Sequence, residues 1–101
     1  IDANGGKAII TMDGEAGTMK IETSDSFDIE SGGTMKLKSG GAMTLDAGTN
    51  NVDIKGGNVT IKASTNAEVS ASSSATLKGS TGATVDGGAS TTIKGGTVAI
   101  N

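Results

Sequence analysis

The chain has 101 residues, a net charge of −3 from eight lysines and eleven carboxylates, and one aromatic residue, Phe27. That length allows one domain at most, and without Trp or Tyr it lacks the bulk of an ordinary globular core. No arginine and no basic excess argue against a nucleic-acid-binding face. The lack of cysteine rules out a disulfide framework, and the lack of histidine rules out a Ser-His-Asp triad and the usual zinc sites.

High Gly, Ser and Thr content could describe a flexible linker, but the chain has no proline and is 34% hydrophobic. Its apolar residues are also ordered in sequence, as a linker's need not be. No apolar run reaches the length of a signal-peptide core or a transmembrane helix. Ile1 as first residue is read as the mark of an excised fragment, so any targeting signal would lie upstream of it.

Taken in chain order, the bulky apolar residues come in pairs two apart. The series runs Ile10/Met12, Met19/Ile21, Phe27/Ile29, Met35/Leu37, Met43/Leu45, Val52/Ile54 and Val59/Ile61. It continues with a small or polar first member in Ala67/Val69, Ala75/Leu77, Ala83/Val85 and Thr91/Ile93, and closes with Val98/Ile100. Successive pairs step by 9, 8, 8, 8, 9, 7, 8, 8, 8, 8 and 7 residues, an eight-residue repeat with small slips. Of the 22 Ile, Val, Leu, Met and Phe residues, 20 fall on the 24 positions of these pairs. Spacing of two puts both members on one face of a short strand. The positions between and after them are mostly polar, as in Lys20/Glu22, Asp28/Glu30 and Lys36/Lys38, and hold seven of the eight lysines. Both the period and the Gly, Ser and Thr between pairs exclude a helix.

Turn-forming segments follow the pairs, among them Gly32-Gly33, Gly40-Gly41, Gly56-Gly57, Gly87-Gly88 and Gly95-Gly96. Their expected role is to form the corners of a stacked coil. None lies in a phosphate-binding or dinucleotide-binding pattern.

An octad supplies one strand and one corner, roughly one side of a narrow triangular prism. A single chain would need three octads per coil, leaving few coils and two open ends. Three chains wound together would each contribute one side per layer, and twelve layers would make a rod of about 60 Å. Each inward residue would then meet two copies of itself on the axis, where aliphatic side chains fit and aromatic ones are mostly too large. The expected fold class is therefore all-β: an intertwined trimeric triple-stranded β-helix over residues 1–101, with the bulky pair members as its core. Outward charges of opposite sign in successive layers would favour one register, although a solvated surface explains them equally well.

With this pattern in view, the octads resemble the triple-stranded β-helix of contractile-injection spikes. These are the phage tail lysozyme spikes and, more closely, the VgrG proteins of type VI secretion. The resemblance covers essentially the whole chain. Its most telling stretches are Val52-Asp-Ile-Lys-Gly-Gly-Asn-Val-Thr-Ile61 and the ending Thr92-Ile-Lys-Gly-Gly-Thr-Val-Ala-Ile-Asn101. It implies a homotrimer at the head of a sheathed tube, assembled in the bacterial cytoplasm and driven through a target membrane by sheath contraction. It also implies hub and OB-fold domains upstream that dock to the tube protein, and a conical PAAR-repeat protein on the C-terminal tip. Val98, Ala99, Ile100 and Asn101 would form that docking platform. Some phage spikes carry a histidine-bound iron apex; with no histidine here, that feature does not carry over.

No enzyme activity, cofactor or metal is expected. The carboxylates are dispersed, and no stretch matches the glycine-rich calcium-binding nonapeptide. Asn58-Val59-Thr60 is a formal glycosylation sequon to which no role is given. Thr91 would place a threefold ring of hydroxyls on the axis; its expected role is an ordinary small filler bonded to backbone, ahead of holding an axial water or ion. The rival classes are another contractile-tail spike and a monomeric solenoid serving in adhesion or ice binding. Mixed Lys, Asp, Glu and Thr on the outward face disfavour ice binding, which requires regular threonine ladders.

Overall fold

The structure, a computed structural model, describes residues 2, 3 and 5–101. Ile1, read above as the mark of an excised fragment, lies outside the described residues. By its internal contacts the chain divides into two units, residues 1–50 and 51–101.

The first unit opens with a three-stranded antiparallel sheet of strand order β1-β2-β3: β1 is Asp2–Ala3, β2 Ala8–Asp13 and β3 Thr18–Thr23. Alternating side chains sort the two long strands into faces. Ile10 pairs with Ile21 and Met12 with Met19, so the first two apolar pairs lie opposite each other on one face. The other face carries Ile9 opposite Glu22 and Thr11 opposite Lys20. Beyond the last register pair, Ser24 N–H donates to the Lys7 carbonyl at 2.8 Å.

The loop between β2 and β3 explains why the chain doubles back. Asp13 Oδ1 accepts from the N–H groups of both Glu15 and Ala16 at 3.1 Å, and Gly17 then takes φ 69°. A carboxylate that caps its own turn, followed by a left-handed residue, closes a four-residue hairpin loop. Successive stacked layers are the expectation for these two pairs; within one chain they are cross-strand neighbours. A step of nine residues suits either arrangement, and the capped turn at Asp13 produces the second.

Past this sheet the backbone keeps the sequence period. In the first unit it bends beginning at residues 24, 32, 40 and 48; in the second, at 57, 64, 72, 80, 88 and 96. Consecutive bends within each unit are eight residues apart, except for a single step of seven between 57 and 64. The apolar pairs slip by seven at the same place, from Val52 to Val59. From Phe27/Ile29 to Thr91/Ile93 each pair sits between two bends, and Val98/Ile100 follows the last one.

Those segments form no ladder with other parts of the same chain. Among described residues 25–101, the backbone–backbone hydrogen bonds are two turn closures, Asn50 N–H to Ala47 C=O at 3.1 Å and Ser90 N–H to Gly87 C=O at 3.2 Å. A folded chain ordinarily makes about one internal hydrogen bond per residue.

The core expected from the apolar pairs is not formed within one chain. No hydrophobic side chain is buried among the described residues. Of the positions read above as core, Ile10 is half-buried. In the hairpin and the rest of the first unit, Met12, Met19, Ile21, Phe27, Ile29, Met35, Leu37, Met43 and Leu45 are exposed. In the second unit the same holds for Val52, Ile54, Val59, Ile61, Val69, Leu77, Val85 and Ile93. The physical reason lies in the octad itself. One octad makes a single extended side and a corner, and within its own unit each of Ile29, Leu45, Ile54, Leu77 and Ile93 stays exposed.

Candidate functional site

The apolar pairs are the most prominent chemical feature of the surface. Ile9 and Ile10 on β2 are half-buried. The other bulky members are open to solvent, from Met35 at 46% to Val69 at 91%. Isolated exposed aliphatic residues are common on proteins, but a periodic series that takes in nearly every bulky residue of a chain is not. Burying one such side chain fully contributes about 1.5–3 kcal/mol. Beyond the sheet, the segments of residues 25–101 that carry them also present backbone N–H and C=O groups without a ladder in the chain. A surface of this kind gains most from a partner that covers the side chains and extends the backbone pairing together.

The corners beside the pairs have their own chemistry. Asp46 Oδ1 accepts from Gly48 N–H at 2.7 Å, and Asp86 Oδ1 from Gly88 N–H at 2.9 Å. Both glycines are left-handed, with φ 65° and 61°, a region in which a Cβ is strained. Two serines cap corners in another way. Ser31 Oγ accepts from Gly33 N–H at 3.3 Å and donates to Thr34 C=O at 3.2 Å; Ser39 does the same with Gly41 and Ala42. Gly33, Gly41 and Gly88 belong to the glycine pairs expected at corners, whereas Gly48 and the four capping side chains do not stand out by period. The Asp-x-Gly and Ser-Gly-Gly spacings were the available signal.

The remaining sequence candidates are placed as follows. Val98 and Ile100 are exposed, at 49% and 88%, with Ala99 and Asn101 beside them also open. Thr91 lies near the Gly87 corner: a Cβ built on Gly87 would collide with the Ser90 carbonyl oxygen and with Thr91 Oγ1. Lys20 Nζ and Glu22 Oε1 form an ion pair of 2.9 Å along the polar face of β3. Among the described residues no cavity opens, no group of three His, Cys, Asp or Glu side chains converges, and no helix is long and apolar enough to cross a membrane. Comparison with protein-family models, with curated proteins and with solved structures finds no match.

Proposed function

We propose that this chain is the shaft of a homotrimeric puncturing needle, a non-catalytic spike of a type VI secretion system. The observation that carries the reading is a shared period. Apolar pairs and backbone bends both recur about every eight residues, while the pairs and the strand edges of one chain stay open. Winding three copies together satisfies both at once. Each strand gains neighbours above and below from the other chains, and each pair meets its two symmetry copies on the axis. The resemblance to VgrG needles gives this rod its task.

Mechanically, such a rod resists penetration forces because no chain can open without displacing two others. Its outward residues are polar, so it would pass a bilayer without lodging there. The same reading has the needle exported at the head of the injection tube, joined to the tube protein through upstream domains. A PAAR-repeat tip protein would seat on Val98, Ala99, Ile100 and Asn101.

Sedimentation of the 101-residue chain tests the core of the proposal. A β-rich species of three times the chain mass that persists on dilution is the expected result. A folded monomer at micromolar concentration would remove the needle from consideration.

A further inference from the structure

The residue that follows each apolar pair occupies one equivalent position in every octad, and its charges are patterned. At exact octad spacing this position holds Glu22, Glu30, Lys38 and Asp46 in the first unit, and Lys62, Ser70, Lys78, Asp86 and Lys94 in the second. Within each lies a run of three that alternates in sign, Glu30, Lys38, Asp46 as minus, plus, minus and Lys78, Asp86, Lys94 as plus, minus, plus; Glu22, Lys62 and Ser70 fall outside these two runs.

In three wound chains, a strand rests on the next octad of a neighbouring chain, because each chain moves to the next side of the prism as it rises one layer. Equivalent positions of successive octads therefore stack between chains at about 4.8 Å. A lysine side chain readily reaches a carboxylate across that step. The structure adds a reason why the acidic members suit the task. Asp46 and Asp86 are each fixed by one oxygen, Oδ1, to the N–H of the glycine two residues on. That bond sets the carboxylate at the corner and leaves Oδ2 to take a second donor. A side chain already held in place loses less entropy on pairing than a mobile one.

We propose that these two runs form interchain charge ladders along the edges of the rod, in which Lys78 and Lys94 of two neighbouring copies both pair with Asp86, and Glu30 and Asp46 with Lys38. The ladders fix the axial register of one copy against another. A slip by one octad would set like charges against each other along both runs. The aliphatic layers discriminate less against such a slip, since the successive pairs Ala67/Val69, Ala75/Leu77 and Ala83/Val85 each join an alanine to one branched aliphatic side chain. The inference rests on the trimer reading.

The test compares four forms of the chain by thermal melting of the trimer, followed by light scattering in low and in high salt. Asp86→Ala removes both charge and turn cap. Asp86→Lys removes the cap equally and reverses the charge, setting six like-charge contacts in each trimer. The triple variant Lys78→Asp, Asp86→Lys, Lys94→Asp restores alternation with inverted sign. The expected result is that Asp86→Lys melts several degrees below Asp86→Ala in low salt. High salt should narrow the gap, and the triple variant should recover most of the loss. Equal melting of Asp86→Lys and Asp86→Ala in low salt overturns the ladder, as does a triple variant no more stable than Asp86→Lys. A wild-type chain that is a folded monomer fails the trimer reading itself, a result plainly distinct from a trimer indifferent to these charges.

Discussion

Asp46 and Asp86 show how much one side chain does in a chain with so little bulk. Each carries an exposed charge, and each caps its own corner ahead of a left-handed glycine. The inward and outward positions should therefore tolerate change very differently, and Ile61 and Lys62 are the adjacent pair that tests this. Ile61 is 81% exposed in one chain, yet it belongs to the apolar series and in the trimer would face two copies of itself. Ile61→Asp then places three carboxylates together on the axis, and an unpaired buried charge costs on the order of several kcal/mol. Trimer yield should collapse, whereas Lys62→Asp should leave it near wild type. Gel filtration of the two variants side by side measures this, and equal tolerance would contradict the inward assignment of the pairs.

At the scale of elements, much of the backbone was legible in the sequence. The spacing of two between Met35 and Leu37, or between Ala83 and Val85, marks one face of an extended segment. Gly, Ser and Asp after each pair mark the corner. The bends fall in those corners, and the seven-residue step from Val52 to Val59 has its counterpart between the bends at 57 and 64. The hairpin of β2 and β3 was not legible, because nine residues from Ile10 to Met19 read as one more octad with a slip. The reversal there depends on Asp13 capping two N–H groups and on Gly17 at positive φ, which periodicity does not express. The capping roles of Ser31 and Ser39 were missed for a related reason: a local hydrogen bond leaves no periodic trace. Burial was not legible either, since a period marks which side chains share a face but not what covers them. Ile29, Leu45, Ile54, Leu77 and Ile93 keep their places in the series while staying open in one chain. A strict octad makes a prediction at this scale. Excising residues 67–74 removes one whole repeat and keeps every later side chain on its own face. Excising residues 67–73 shifts the chain by one residue and turns the next apolar face outward. The first variant should still form a trimer with a melting temperature near wild type. The second should lose the trimer or melt well below it, and identical melting of both would refute the repeat.

At the scale of the whole molecule, function in the proposed needle divides between shaft and tip. The shaft needs only redundancy, since many similar layers share the burial and losing one is tolerable. The tip needs a specific surface. Val98 and Ile100 are aliphatic, exposed and flanked by uncharged Ala99 and Asn101. Three copies would offer a small apolar triangle with strand edges, suited to a flat partner that extends the pairing. In the proposed function this partner is a PAAR-repeat protein, as the resemblance to VgrG needles implies. Replacing Val98 and Ile100 with Ser removes the apolar contact while the other layers keep the trimer together. In a pull-down with a PAAR-repeat protein, the double variant should still sediment as a trimer but lose capture by at least tenfold. A loss of both trimer and capture would make these residues part of the shaft. Undiminished capture by an intact trimer would place the docking surface elsewhere on the chain.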